Sequence, residues 1–150
     1  PWREIADAPV QQVRHNTVDI RTLLPVPKHS EHDSSPYITA GLVIARNPEN
    51  GKQNVSINRI QIDSPRRMAL LILPRHLHAY FLMAEERGEA LPVAVVIGVD
   101  PLTLLASQAV VPLDHDELKL AGALPGTPLD VVKCVSNMVR VPAHAEIVIE

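Results

Sequence analysis

The chain has 150 residues, 46% hydrophobic, 21% charged and only 3% aromatic, with a net charge of −3. This composition suits one folded domain with an aliphatic core and excludes intrinsic disorder. It offers nucleic acid neither a basic face nor an aromatic stacking platform, and a single cysteine excludes an internal disulfide.

In chain order, Pro1 to Leu24 is mixed, and VQQVRHNTVDI alternates weakly enough to predict a short edge strand. LLPVPKHSEHDSSPY is a loop, broken by three prolines. Ile38 to Ala45 is a β-branched apolar run that stops at a turn signal, Asn47-Pro48-Glu49-Asn50-Gly51. NVSINRIQID then alternates, with a phase break between Ile57 and Ile60 that predicts a bulge near Asn58 and Arg59. The two runs form a β-hairpin. MALLIL, at 68–73, predicts a buried strand. HLHAYFLMAEERG predicts a helix from His76 to Gly88, the glycine ending it. LPVAVVIGV is a strand. Asp100-Pro101 starts a helix through about Gln108, and Asp114 or Asp116 caps another ending near Gly122. LDVVKCVSN, MVRVPA and AEIVIE are strands. Helices thus gather between residues 76 and 122, with strands on both sides. The N-terminal hairpin argues against a doubly wound sheet, so the expected class is α+β, a mostly antiparallel sheet or split β-barrel.

No run of about 18 apolar residues predicts a membrane span. The first residues, PWREIADAPV, lack Met and a signal-peptide core, and AEIVIE ends inside an apolar run. Both ends read as cuts, so a piece of a larger protein is expected. A lone thiol fits a reducing, cytoplasmic compartment.

No phosphate-binding glycine loop, nucleophile elbow or CxxC is present. Cys134 sits in an apolar strand and reads as a buried, inert thiol. His29, His32 and Asp33 share one loop, as metal ligands or as plain solvated residues. His76 and His78 open a helix, where two residues apart they cannot share a face; ligand and surface roles both stand. Arg59 lies among isoleucines and needs an anion, either a structural carboxylate or a bound carboxylate or phosphate. A bulge would bring it to the side of Asn54. Glu117 at a helix start stabilises the dipole or serves a site, and Ser107 and Gln108 end a helix.

Several segments, in order, resemble one family. LPVPKHSEHDSSPYITAG, NPENGKQN with Arg59 five residues beyond Asn54, LPVAVVIGVDPLTLLAS, and LKLAGALPGTPLDVVKCVSNMVRVPAHAEIVIE are similar to motifs of the UbiD-type decarboxylases. The resemblance runs from about Val10 to Glu150. It implies that residues 1–150 are the central, prenylated-FMN-binding domain of a larger enzyme with an FMN-binding split-barrel-like fold. It implies reversible, non-oxidative decarboxylation of an α,β-unsaturated or aromatic acid, with prenylated FMN, a divalent metal, usually Mn²⁺, and K⁺. Carried over by position, Asn54, His76 and Glu117 match the metal ligands, with His78 the alternative histidine. Arg59 matches the arginine holding the substrate carboxylate. Ser56, Ile57 and Asn58 fall on the backbone lining the flavin, with Arg59 next to them also counted among the cofactor-binding residues, and Ser107 and Gln108 fall where phosphate contacts are expected. The family's glutamate-rich EGPFGE-like motif would follow Glu150, so neither Glu146 nor Glu150 is the catalytic acid and the piece alone is expected to be inactive. A flavin prenyltransferase as cofactor supplier and a homo-oligomeric full-length enzyme are also implied. The rival reading is a flavin- or phosphate-binding module of the same lineage without chemistry.

Overall fold

A computed structural model describes all residues, 1–150. The organising element is a four-stranded antiparallel sheet of β3 (Leu42–Arg46), β4 (Gln53–Ile57), β7 (Val93–Ile97) and β10 (Ile147–Ile149), in the order β10-β7-β3-β4. A second sheet joins β2 (Tyr37–Ile38), β5 (Ile60–Ser64) and β6 (Arg67–Leu70). A third joins β1 (Trp2–Glu4), β8 (Leu129–Lys133) and β9 (Arg140–Pro142), with β1 parallel to β8. Four helices complete the α+β fold: α1 (Ile20–Leu23), α2 (His76–Glu86), α3 (Pro101–Ala106) and α4 (Glu117–Ala123). All three sheets are open, and no barrel closes.

The central sheet is covered on both faces, which explains the near-continuous apolar runs LVIA and VAVV. On one face Leu42, Ile44, Val55 and Val96 pack with Leu118 of α4 and with Val131 and Val141 of the third sheet. On the other, Val43, Ala45 and Val95 pack with Leu77 and Tyr80 of α2 and with Ile60 and Ile62 of the second sheet. Alternate residues of one strand thus feed two different cores.

Several expectations need correction. VQQVRHNTVDI holds no strand. It forms a short 3-10 turn at Pro9–Gln11, and Asp19 then caps α1 through the Arg21 N–H. The N-terminal strand is instead β1. The bulge expected at Asn58 and Arg59 is a full break: the chain leaves the central sheet at Ile57 and enters the second sheet at Ile60. The run before the hairpin breaks likewise at Gly41, where a Cβ would come 3.1 Å from both Ile38 and Val95 side chains. MALLIL is not a buried strand. Its strand, β6, ends at Leu70 on the rim of a small sheet, and Leu71 and Leu73 are 57% and 53% exposed. An apolar run marks burial only where a second layer covers it. The helix at Asp100 ends at Ala106 rather than Gln108, and α4 is capped by Asp116.

Candidate functional site

Three elements converge beside the outer edge of β4. Asn54 stands opposite Ala45 of β3, so its side chain shares the face on which α2 packs. It is 4% exposed, and its amide makes no hydrogen bond; Nδ2 is buried without a partner. A buried, unsatisfied amide costs about 1–3 kcal/mol and points to an absent acceptor or ligand.

Glu117 is the first residue of α4, just after its N-cap. Asp116 accepts from the Leu118 N–H and from Trp2 Nε1 at 2.8 Å, which fixes where α4 starts. Because β4 is an edge strand, the Val55 N–H has no partner in the sheet; it donates to Glu117 Oε2 at 2.9 Å. Glu117 therefore reaches the residue next to Asn54. Only 3% of it is exposed. Burial pushes its carboxyl up to about 7, against the opposing hydrogen bond from Val55. No cationic side chain forms an ion pair with it.

His76 and His78 occupy the first turn of α2, which packs on β3 and β4. Both are half-buried, and neither side chain makes a hydrogen bond, so both imidazoles keep their nitrogens free. Ser107, at the C-terminal end of α3, is buried. Its hydroxyl donates to Leu104 O at 2.7 Å and accepts from Gln108 Nε2 at 3.1 Å, and α3 packs on α4. Ser56 Oγ donates to Asn58 Oδ1 at 2.7 Å, and Asn58 Nδ2 donates to Leu71 O at 2.9 Å. These bonds hold the break between β4 and β5, leaving Ile57 37% exposed.

Arg59 is exposed, in the two-residue connection between β4 and β5. No carboxylate pairs with it, which removes the structural-anion reading left open by the sequence. Its guanidinium lies 5.8 Å from the centroid of the Tyr37 ring. The two residues, with Gln61, Ala69, Leu70 and Leu71, line a shallow pocket of about 320 Å³. A free guanidinium over an aromatic ring at a pocket wall suits a planar anion.

The loop residues His29, His32 and Asp33 stay near the surface, and nowhere do three or more His, Cys, Asp or Glu side chains converge. Cys134 is 2% exposed, with its thiol pushed up to about 12 by burial and by the nearby Glu150. It should resist alkylation by iodoacetamide at pH 8 in the folded protein and react at the rate of a free thiol in urea; equal rates in the two states would contradict its burial.

Sequence reasoning missed Asp114, which accepts hydrogen bonds from Asn47, Asn50 and Tyr80. The sequence offered it only as a candidate cap for α4, a place that Asp116 takes. Its partners lie 34 to 67 positions away, beyond any local pattern.

Comparison with known proteins gives this geometry a context. Residues 3–150 match the family model described as the 3-octaprenyl-4-hydroxybenzoate carboxy-lyase Rift-related domain of UbiD. The chain belongs to the UbiD family. It is 44% identical over 127 residues to anhydromevalonate phosphate decarboxylase from Methanothermobacter thermautotrophicus, covering 85% of this chain and 30% of that protein. Among solved structures, an evolved dimeric form of the UbiD-class enzyme HmfF from Pelotomaculum thermopropionicum, in complex with prFMN, superposes with a TM-score of 0.93 at 49% identity. That match covers 99% of this chain and 35% of the other. Klebsiella pneumoniae 3,4-dihydroxybenzoic acid decarboxylase gives 0.82 at 30% identity, over 94% and 31% of the respective chains. The chain thus spans about a third of the length of these relatives.

The residues fit a hard cation bound together with a phosphate. Asn54 has an unengaged buried amide, Glu117 a buried carboxylate with no cation, and α2 offers a free imidazole. Amide and carboxylate oxygens with one nitrogen suit Mn²⁺ or Mg²⁺.

Proposed function

We propose that residues 1–150 are the prenylated-FMN-binding domain of a longer UbiD-type carboxy-lyase. The whole enzyme removes CO₂, reversibly and without oxidation, from an α,β-unsaturated or aromatic acid. The observation that carries this reading is the unpartnered Asn54 amide beside the buried, cation-free Glu117 carboxylate.

Prenylated FMN, when bound, supplies the electron sink that decarboxylation needs. Asn54, Glu117 and His76 would hold a divalent ion, Mn²⁺, when the cofactor binds, with K⁺ as a further cation. The buried Asn54 Nδ2, which has no partner in the protein, would find an acceptor on the bound group. Ser56, Ile57 and Asn58 line the flavin, the last pinned by its bond to Leu71 O. Ser107 and Gln108 close the phosphate end. Arg59 holds the substrate carboxylate by paired hydrogen bonds.

The proton that replaces CO₂ comes from outside these residues. Glu150 is no donor: burial would raise its carboxyl, but hydrogen bonds from Ser136 and Val135 outweigh burial and hold it low. Glu146 lies beside Gly98, before β10. A flavin prenyltransferase supplies the cofactor, the lone Cys134 thiol fits a cytoplasmic setting, and the full-length enzyme is a homo-oligomer, as the dimeric relative is.

The test is turnover. The full-length protein, loaded with prenylated FMN, Mn²⁺ and K⁺, should release CO₂ from at least one acid in a panel of unsaturated and aromatic acids. Residues 1–150, loaded in the same way, should release none. A full-length protein that binds the flavin but turns over no acid would be a non-catalytic binding module, and turnover by the short chain would place the proton donor inside it.

A further inference from the structure

Asp114 is the one non-glycine residue with a positive φ, at 67°. That conformation disfavours most side chains, and short polar residues such as Asp occupy it where the surrounding structure over-determines them. Here three side chains do so. Asp114 Oδ1 accepts from Asn47 Nδ2 at 2.8 Å and from the Tyr80 hydroxyl at 2.9 Å, and Oδ2 accepts from Asn50 Nδ2 at 2.7 Å. Burial works against the charge, but these three bonds outweigh it and hold the carboxyl below its ordinary value. Tyr80 is fully buried, and burial keeps its phenol a neutral donor.

What these bonds join matters more than their number. Asn47 and Asn50 belong to the turn between β3 and β4, which leads into Asn54. Tyr80 lies one turn along α2 from His76. Asp114 itself ends the loop that leads into α4, three positions before Glu117. The turn is rigid in its own right: Asn47 Oδ1 accepts from the backbone N–H groups of Glu49 and Asn50, and Gly51, at φ 73°, donates to Asn47 O. One carboxylate thus ties together the three elements that carry the proposed metal ligands, and it touches none of those ligands.

We infer that Asp114 is a positioning residue for the metal and flavin-phosphate site, acting through Tyr80 on α2 and through Asn47 and Asn50 on β4. This rests on the proposed function, since the ligands it aligns are those assigned there. Groups that orient ligands from behind commonly alter metal affinity by about 10–100-fold.

The experiment uses the full-length protein with FMN, titrated with Mn²⁺, the free ion being read by its electron paramagnetic resonance signal. Asp114→Asn keeps the shape but turns NH₂ toward donors; it should weaken Mn²⁺ binding by about 10-fold or more. Tyr80→Phe removes one of the three bonds and should weaken it by about fivefold. Val141→Ala, a truncation in the other core, is the control for lost stability. It should lower the melting temperature and leave Mn²⁺ affinity unchanged. If Asp114→Asn does not fold, Tyr80→Phe decides. Affinities within twofold of wild type in the folded variants, or losses no larger than that of Val141→Ala, would overturn the inference. Failure of the wild type to retain Mn²⁺ would instead defeat the functional reading, and the positioning role with it.

Discussion

Glu117→Gln should make the metal-free protein more stable while abolishing its hold on Mn²⁺. Its carboxyl is 3% exposed and titrates at about 7, against 4.5 for an ordinary glutamate. The sign follows from proton binding. Between those two pH values the folded state keeps a proton that the unfolded state has lost, so stability falls as pH rises through this window. The cost is fully present above about pH 7 and absent below about 4.5. A shift of that size corresponds to about 3 kcal/mol. Glutamine keeps an acceptor for the Val55 N–H but adds a donor that needs a partner, so the net gain at pH 8 is about 1–2 kcal/mol. Urea unfolding in EDTA checks this. Wild type should be more stable at pH 5.5 than at pH 8 by an amount that the variant loses. The same pH dependence in both proteins would show that Glu117 does not carry the buried charge. A bound cation, as proposed, would offset that cost.

Arg59→Ala is expected to remove activity without removing the cofactor. The guanidinium has no carboxylate partner and lines a pocket on the second sheet, whose lining includes neither Asn54 nor Glu117. Losing it should cost turnover at least about 10²-fold, the scale on which misplacing a reacting group acts. The flavin absorbance retained after desalting should match wild type, because the residues assigned to the phosphate and metal are untouched. Fold stability should hardly change, since the side chain is exposed. Kinetics separate the roles. A loss in kcat/KM with flavin retained supports carboxylate binding, whereas parallel loss of flavin would make Arg59 a phosphate-holding residue.

Local signals in the sequence carried much of this architecture. Asp100-Pro101 started a helix where it said, Gly88 followed the end of α2 in a left-handed conformation, and the Asn47 to Gly51 turn closed the β3–β4 hairpin. The failures share one physical cause: they depend on what packs from far along the chain. MALLIL reads as buried, but only neighbouring layers decide burial, and Leu71 and Leu73 have none. Trp2–Glu4 has little strand character and exists because β8, more than a hundred residues on, offers it an edge.

The site shows the same division. Asn54, Glu117 and Arg59 were picked out through an ordered set of motifs, while their physical state was not. Glu117 bonding to the exposed edge of β4 could not be read from a helix start, where an acid ordinarily lies at the surface. Arg59 was expected on a bulged strand with Asn54; it lies instead in the full break between β4 and β5. Asp114 was offered as a helix cap, a place that Asp116 takes, and its actual partners come from two other elements.

The position of the metal is the most direct test of the proposed site. Crystals of the full-length protein with FMN and Mn²⁺, measured with X-rays near the manganese absorption edge, would locate the ion by its anomalous signal. One peak is expected within bonding distance of a side-chain oxygen of Asn54 and of Glu117, with a flavin phosphate oxygen beside it. Flavin bound with the peak elsewhere, or with the Asn54 amide still unpartnered, would contradict it.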